Sequence, residues 1–436
     1  MKTMPQSVAV VGAGMAGLAA ANELAKEGLQ VTVFERQPYV GGRIKTDLHN
    51  GQTIEGGAQC YFEFYRLTRN LIHELDLAEY ETYLSGRPGI FRNQKISNIS
   101  LGPGLLFGNH IDFRSKLLFG KLLGPLLRHW SQLDHEELYA AHPLDTKSVA
   151  EYANQELSQE ILDYLFQPIL SGIFYWRPKE ISQSALFVLF RQLLFGLRPM
   201  TLKCGLSALP RAIAQRLDVR VNNTVTQISR AESGGYHVAV HDGSQITNHQ
   251  VDAVVCATTA TTVPRLIPFL NSTQKKFFQR IKYSSTVNVA VEVKNARIPI
   301  THSLYIPSAE RSVQNLGAVT RQSSRVLSLF SSAESGVDLV GERDSVVSTG
   351  LVQDLKRVLS PPDPGAFRPL PHFLYRWREA LPIHDVGHFR RLNDFQSGKL
   401  ESGNLVFCGD YLGGAFIEGA VNSGMKAANR LISRKC

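Results

Sequence analysis

The sequence predicts an α/β fold in which a parallel sheet is assembled from distant parts of the chain, beside a second domain of mixed α+β structure. Three observations predict it. An apolar run at residues 8–11 is followed by a glycine-spaced turn, an Ala- and Leu-rich helix at 18–26 and a strand at 30–34. A helix and short strands return at 206–256, and an apolar strand at 404–408 precedes a helix of small residues. Strands alternating with helices favour a parallel sheet, so these pieces belong to one discontinuous domain.

The turn after the first strand has the spacing of a nucleotide-binding site. Gly12 permits a tight turn, Gly14 lets the backbone approach a diphosphate, and Gly17 lets the helix pack close to the strand. The helix then offers its N-terminal amides and dipole to the phosphate charge. The second strand is followed by Glu35, whose carboxylate accepts hydrogen bonds from ribose hydroxyls and repels a 2′-phosphate. This order predicts a Rossmann-like domain that binds a dinucleotide.

A second glycine pair and a cation, Gly41, Gly42 and Arg43, follow soon afterwards, and a Gly-Ala-Gln sequence lies at 57–59. An NAD domain has no need of such a pair, whereas a longer cofactor with a second phosphate and a ribityl chain does. This stretch resembles the flavin-containing amine oxidase superfamily, which includes amine oxidases, protoporphyrinogen oxidases and carotenoid-type desaturases. The resemblance implies FAD as the cofactor and a Rossmann-like domain of the GR2 type.

The C-terminal motif supports the same resemblance. In that superfamily a pair such as Gly409-Asp410 holds the ribityl and phosphate region. The helix that starts near Ile417 directs its positive end at the N1/C2 carbonyl edge of the flavin. Negative charge develops at that edge on reduction, so the helix dipole favours the reduced flavin. A strand around Val225 is expected to supply backbone contacts to the adenine.

Together the motifs and the resemblance define a set of candidate cofactor-binding residues. FAD is expected to be non-covalent, because the cysteine that carries the flavin in some amine oxidases is missing from the stretch after Trp377. The candidates are Gly12, Gly14, Ala16, Gly17, Glu35, Arg36, Gly42, Arg43, Gly57, Ala58, Gln59, Val225, Gly409, Asp410, Phe416, Ile417 and Ala420.

The two long segments between the nucleotide-binding pieces are expected to build the second domain. We predict an FAD-binding domain from residues 1–79, 201–264 and 396–436, and a substrate-binding domain from 80–200 and 265–395. The first insertion has helical spacing of apolar residues, and the second mixes strands with a helix. A chain of 436 residues is long enough for two cores.

Composition and charge exclude several classes of protein. The net charge is +9, but there is no dense run of Lys or Arg and no nucleic-acid-binding motif, so no nucleic-acid partner is expected. The five cysteines lie far apart, with no metal spacing, as in a reducing compartment. One of them, Cys436, is the last residue of the sequence, so we do not expect it to be the cysteine of a CaaX box. We therefore expect a cytoplasmic protein without a metal, entering its nucleotide fold too early for a signal peptide.

One apolar segment has two interpretations, and one of them is contact with a membrane. Residues 117–127 are rich in Leu and are surrounded by Arg114, Lys116, Lys121 and Arg128. This segment is too short to span a bilayer. It either lies on a membrane surface as a cationic amphipathic segment or forms a wall of the substrate pocket.

Two substrate classes remain open. Residues 166–175 and 205–210 resemble stretches of protoporphyrinogen oxidases and desaturases, which favours dehydrogenation of a hydrophobic or ring-containing compound. In amine oxidases two aromatic side chains flank the flavin; here Phe416 stands where a tyrosine is usual, and the opposite wall has no evident tyrosine. An amine is therefore the alternative substrate. Candidate pocket aromatics are Phe166, Phe174, Tyr175, Trp176, Phe187, Phe190 and Phe195.

The predicted enzyme is an FAD-dependent oxidase or dehydrogenase that takes a hydride from a small organic substrate onto flavin N5. Phe416 is the candidate flavin-flanking residue, and His384 is a candidate acid–base group. His384 and His388 have a structural alternative as satisfied core histidines. Only one dinucleotide fingerprint is visible, so electrons are expected to pass to oxygen or a quinone-like acceptor. A non-catalytic nucleotide-binding protein is the remaining alternative.

Overall fold

The computed structural model describes residues 5–99, 111–194, 198–294, 298–361, 363, 365–396 and 403–433. Phe195 and Cys436 lie outside these described residues. Within them, no helix combines the length and apolar character that crossing a bilayer requires.

A five-stranded sheet, in which every pair of neighbours is parallel, forms the centre of the first domain. Four of its strands are mostly buried and apolar, as expected for a sheet that is covered on both faces, whereas the edge strand Asp218–Arg220 is partly exposed. The five strands come from all three pieces predicted to form the FAD-binding domain. In spatial order they are Asp218–Arg220, Gln30–Phe34, Ser7–Val11, Ala253–Cys256 and Leu405–Phe407.

The first and last helices, Met15–Lys26 and Ile417–Ile432, pack against each other beside this sheet. Their contact depends on small residues. A Cβ on Gly424 would overlap the carbonyl oxygen of Ala16, so the two backbones approach too closely for any larger side chain. The two ends of the chain are thereby joined in one core.

The second domain is built on a seven-stranded sheet whose strands all come from the two predicted insertions. The helix Asp344–Leu359 packs on it. All neighbours are antiparallel except Ser303–Tyr305 beside Gly89–Arg92. The spatial order is Phe367–Trp377, Thr286–Val293, Val326–Ser331, Leu316–Arg321, Ser303–Tyr305, Gly89–Arg92 and Lys95–Asn98.

The remaining strands form three smaller sheets. An antiparallel sheet includes a hairpin whose Asp242 carboxylate accepts hydrogen bonds from the backbone N–H groups of Ser244 and Gln245, as the Asp-Gly turn predicts. Another sheet crosses both predicted domain boundaries, at 79/80 and 200/201. The sheets are Thr224–Arg230, Tyr236–His241 and Ile246–Val251; Tyr61–Phe62, Pro199–Leu202 and Glu81–Tyr83; and Thr46–His49 with Gln52–Glu55.

Most remaining helices are short and pack around these sheets. The region 149–166, which has helical spacing throughout, is interrupted: Val149–Glu156 ends at Leu157, and the side chain of Ser158 caps a new helical start. The other helices are Arg66–Glu74, Phe113–Phe119, Leu123–Arg128, Gln159–Ile161, Gln167–Phe174, Gln183–Leu194, Ala208–Ala214, Val263–Leu266, Ser272–Arg280, Gly336–Leu339, His388–Asp394 and Asp410–Gly413, with a π-helical turn at Leu162–Phe166.

Candidate active site

A cavity of about 1200 Å³ is lined by residues of both domains. This volume exceeds the usual range for a pocket that holds one small ligand. Every candidate cofactor-binding residue lines it except Gly17, which packs behind it. The remaining candidate, His384, does not line it. The cavity therefore has a cofactor end, built mainly from the glycine motifs, and a substrate end, built from the second domain.

The two glycine motifs meet at the cofactor end. Gly12 has a φ of +106°, and a Cβ there would lie 2.9 Å from the carbonyl oxygen of Ala257. A Cβ on Gly17 would overlap the carbonyl oxygen of Gly12, which explains the close approach of helix and strand. The Gly41 N–H donates to the Ala13 carbonyl at 2.8 Å. Sequence reasoning identified both motifs but not their contact.

The space next to the Cα of Gly14, where a side chain would project, is free of protein atoms. A Cβ at this position would meet no protein atom within 4 Å, and its φ of −73° suits any residue. The glycine is thus not required by the packing of the protein itself. It leaves a cradle at the N-terminus of the first helix, where a diphosphate fits.

The Glu35 carboxylate is held by the backbone at the end of its strand. It accepts hydrogen bonds from the N–H groups of Ala13 and Gln37, each at 2.8 Å, and the residue is 8% exposed. Each carboxylate oxygen has a further lone pair for a ribose hydroxyl. Arg36 and Val225 line the same part of the cavity. These positions fit the adenosine half of a dinucleotide.

Arg43 and Asp410 form a two-pronged ion pair. The guanidinium nitrogens lie 2.7 and 3.0 Å from the two carboxylate oxygens, and Arg43 also donates to the Ala380 carbonyl at 2.8 Å. Burial by itself lowers the pKa of Arg43, but Asp410, Tyr283 and Glu379 together outweigh it, and the net shift of the pKa is upward. The sequence points to each residue separately. Arg43 and Asp410 carry opposite charges and each directly follows a glycine. This was the sequence feature from which their pairing could have been predicted.

The last helix begins at the cavity, where Phe416, Ile417 and Ala420 line the wall. Phe416 stands beside Tyr65, with ring centroids 5.8 Å apart. Glu418 has a different role. Its buried carboxylate accepts hydrogen bonds from the N–H groups of Leu67 and Thr68, at 2.7 and 2.8 Å. It therefore caps the helix Arg66–Glu74, a function that the sequence motif did not reveal.

Three side chains near this helix have ligand atoms within 4.8 Å of one another: His135, Glu136 and Glu418. Both carboxylates are already engaged, since Glu136 pairs with Arg66 at 2.8 Å and Glu418 caps a helix. The cluster is explained by these contacts within the protein.

His384 lies away from the cavity, against the expectation that it acts there. It is 2% exposed, and its ring stacks on that of His388 with centroids 4.5 Å apart. Burial lowers the pKa of His384 to about 3, so the ring is neutral at physiological pH. The chain passes the cavity at Leu381 and then turns into the helical core. Sequence proximity to the cavity wall was therefore misleading.

Only part of the predicted aromatic set lines the substrate end. Phe174 and Tyr175 do so, whereas the other described members belong to the hydrophobic core outside the cavity: Phe166, Trp176, Phe187 and Phe190. Sequence reasoning missed the aromatic residues that the seven-stranded sheet contributes, because they come from separate strands. These are Tyr305 and Phe330.

The charged side chains at the substrate end are cationic. Three stretches of the described lining form the wall of the substrate end: 84–99, 172–199 and 302–330. Within these stretches the described lining includes two arginines, Arg87 and Arg198, and no lysine or carboxylate. Arg198 is exposed and lies 3.2 Å from Glu63, which is outside the lining. Burial lowers the pKa of the neighbouring His302. The substrate end is thus apolar with positive charge at its wall.

Comparisons with known proteins extend these observations over the whole chain. The family described as flavin containing amine oxidoreductase matches residues 15–432. Protoporphyrinogen oxidase 2 of Arabidopsis thaliana is 24% identical, over 98% of this chain and 94% of its own. Coproporphyrinogen III oxidase of Bacillus subtilis is 22% identical, over 94% of both chains. A putrescine oxidase solved with putrescine bound shares the fold, with a TM-score of 0.76, 22% identity, and coverage of 98% and 99%.

Proposed function

This chain belongs to the flavin containing amine oxidoreductase family and is an FAD-dependent oxidoreductase, and on that premise we propose that it dehydrogenates a hydrophobic or ring-containing organic substrate. The observation that carries the substrate class is the wall formed by the lining residues within 84–99, 172–199 and 302–330. It combines apolar and aromatic side chains with two arginines, whereas the described carboxylates of the lining, Glu35, Glu379 and Asp410, lie outside this wall. Oxygen or a quinone-like compound is the proposed electron acceptor. An amine is the alternative substrate.

In the proposed arrangement FAD lies along the cofactor end of a Rossmann-like domain of the GR2 type. Glu35 holds the adenosine ribose, the open cradle at Gly14 holds the diphosphate, and Asp410 binds the ribityl region while paired with Arg43. The N-terminus of the last helix faces the flavin ring. Attachment is non-covalent: burial raises the pKa of Cys60, which lines the cavity, to about 12 and keeps that thiol protonated.

Bound FAD supplies a two-electron acceptor for hydride at its N5 atom. The residues of the chain then provide position and environment. Tyr65 and Phe416 present neighbouring aromatic rings against which a flat substrate is held. The apolar wall excludes water from the reacting carbon, and the helix N-terminus stabilises negative charge that develops nearby. Among the described lining residues the histidine is His302, which is neutral, so positioning rather than acid–base chemistry is the proposed contribution.

The positive wall separates the two substrate classes. A protonated amine approaching the substrate end meets the positive charge of Arg87, whereas an uncharged or acid-bearing ring compound is not repelled there. Arg198 adds less to this field, because its charge is offset by Glu63 at 3.2 Å. The names of the two full-length relatives place porphyrinogen oxidation in the same family. A porphyrinogen-like ring compound is therefore the leading substrate, ahead of polyenes and amines.

The test is anaerobic reduction of the bound flavin. Purified protein is mixed with porphyrinogens, polyenes and amines in turn, and loss of the flavin absorbance is followed in a stopped-flow instrument. The proposal expects a ring compound or polyene to bleach the flavin and amines to leave it oxidised. Bleaching by amines alone would establish the alternative. Flavin bound but reduced by no compound of the panel would contradict the proposed substrate class. Mixing the reduced protein with oxygen or a quinone then identifies the acceptor.

A further inference from the structure

An exposed apolar stripe lies outside the cavity, on the helices Phe113–Phe119 and Leu123–Arg128. The stripe is defined as Phe113, Leu117, Leu123 and Leu127, which are 74, 66, 51 and 69% exposed. Within each helix the two members are four residues apart and share one face. A group of large, exposed apolar side chains marks a surface that contacts a protein partner, a ligand or a membrane.

The opposite side of the segment is anchored in the protein. Ser115, Leu122 and Leu126 are 2, 3 and 2% exposed, and the two leucines belong to the core of the helical region. The carboxylate of Asp112 accepts a hydrogen bond from the backbone N–H of Ser115 at 2.6 Å and caps the first helix. The stripe is therefore presented to solvent by a segment that is packed on its other face.

Cations surround the stripe. Arg114, Lys121 and Arg128 are exposed and Lys116 is half-buried. The carboxylates beside the segment are Asp112 and Glu160, and Glu160 is paired with Arg92 at 2.7 Å. An apolar face edged by Lys and Arg is the pattern of a helix that lies in the interface of a bilayer rather than across it.

The structure argues against one of the two interpretations that the sequence left open. None of residues 113–128 lines the cavity, so this segment is not a wall of the substrate pocket in the described structure. A second copy of the chain is a poor occupant of the stripe. A twofold interface would bring two sets of the same four cations together. Anionic lipid satisfies both the apolar stripe and the positive rim.

We propose that the segment 113–128 docks the enzyme onto the surface of a membrane that contains anionic lipid. The four apolar side chains enter the boundary between headgroups and acyl chains, and the cations contact lipid phosphates. The inference is independent of which compound the enzyme oxidises, because it rests on a surface outside the cavity.

The experiment is vesicle flotation of the full-length flavoprotein. Vesicles of phosphatidylcholine alone are compared with vesicles in which about one third of the lipid is phosphatidylglycerol. The protein is expected to float with the anionic vesicles, at least tenfold more than with the neutral ones, and to be released by high salt. Replacing Lys121 and Arg128 by Gln is expected to weaken binding by more than tenfold, at about fivefold per cation.

A second variant replaces the three most exposed of the four stripe residues: Phe113→Ser, Leu117→Ser and Leu127→Ser. The matched control is Leu48→Ser with Ile246→Ser, two apolar residues that are 70 and 61% exposed on strands elsewhere. The stripe variant is expected to lose flotation while it keeps its flavin absorbance and melting temperature, and the control is expected to float normally.

Three outcomes would overturn the proposal. They are failure of the unaltered protein to bind anionic vesicles, equal flotation of the stripe and control variants, and a stripe-dependent dimer in light scattering without vesicle binding. The last result would assign the stripe to a second copy of the chain. Flavin reduction by substrate in detergent-free buffer tests the proposed function separately, so the two proposals can fail independently.

Discussion

The cofactor end and the substrate end of the cavity differ in how their side chains are held. At the cofactor end, charged groups have internal partners: Glu35 accepts backbone hydrogen bonds, and Arg43 pairs with Asp410. At the substrate end the wall is apolar and aromatic, with arginines near solvent. The comparison teaches that one end is preorganised for a single polar ligand, whereas the other selects by shape and by the sign of charge.

The largest expected effect comes from filling the cradle at the cofactor end. Gly14→Val adds a side chain that meets no protein atom near its Cβ but occupies the space assigned to the diphosphate. We expect at least a hundredfold loss of FAD affinity with a folded apoprotein, measured by flavin absorbance per protein and by circular dichroism. Gly120→Val is the control, because that Cβ also meets nothing within 4 Å but lies outside the cavity. Full FAD occupancy in Gly14→Val would refute the assignment.

Removing one partner of the buried ion pair comes next. Asp410→Ala leaves Arg43 without its carboxylate and is expected to cost roughly 3 kcal/mol in the free energy of unfolding, together with loss of FAD. The side chain of Arg43 is 32% exposed. The loss in the free energy of unfolding is therefore expected near the lower end of the range for breaking a fully buried ion pair. Denaturant unfolding of the holoprotein measures it. The double variant Arg43→Met, Asp410→Leu should recover part of the stability; a further loss would show that the pair is not the cause.

The buried carboxylate of Glu55 lies at a contact between the two domains, where Leu206 donates to the carboxylate at 2.9 Å and Asn288 donates to the backbone carbonyl at 3.2 Å. Burial raises the pKa of Glu55 from 4.5 to about 7, opposed by hydrogen bonds from Leu206 and Thr46. The pKa of Glu55 is higher in the folded protein than in the unfolded chain. The contribution of Glu55 to the free energy of unfolding is therefore complete below about pH 4.5 and is lost as the pH rises through 7. Glu55→Gln should therefore gain roughly 3 kcal/mol relative to the parent between pH 4.5 and pH 8, from thermal or denaturant melts. A stability difference that does not change with pH would contradict the shift.

A smaller effect is expected at the substrate end. Arg87→Gln removes one cation from the wall near solvent and should raise kcat/KM for amines, and lower it for acid-bearing ring compounds, by about two- to fivefold. Steady-state kinetics at low and high salt measure this change, which salt should reduce. The matched control is Arg325→Gln, an exposed arginine outside the cavity. Equal changes for both substrate classes would argue against charge selection.

The smallest effect concerns the histidine that lies outside the cavity. His384→Gln should leave the pH dependence of kcat unchanged, because the ring is neutral, buried and separated from the lining residues. A modest loss of thermal stability is expected from the lost stacking on His388. A shifted pH–rate profile would restore His384 as an acid–base group.

Much of the cofactor end was predictable from the sequence because its contacts are local. The turn at Gly12, Gly14 and Gly17 joins a strand to a helix within a few residues, and its backbone requirements appear directly as glycines. The family, the FAD cofactor and the oxidoreductase class are confirmed by the comparisons. The domain boundaries and individual site residues remain predictions, although the strands of the two large sheets fall within the predicted pieces.

The substrate end was much less predictable. Its wall is assembled from strands far apart in the chain, so Tyr305 and Phe330 carried no common sequence signal. Helical spacing at 149–166 predicted the helices of this region but not the break at Leu157. In the same region Phe166 and Phe187 face the core rather than the cavity, because the packing of neighbouring helices decides which side of an apolar helix meets a ligand.

The sequence by itself determined the nucleotide fold, the family and the cofactor, since these depend on short motifs whose geometry is set by local backbone chemistry. Only the tertiary structure paired Arg43 with Asp410, assigned Glu418 to a helix cap, removed His384 from the cavity and turned the stripe at 113–128 towards solvent. Those outcomes depend on which surfaces of distant segments are buried against each other. No local pattern encodes that choice.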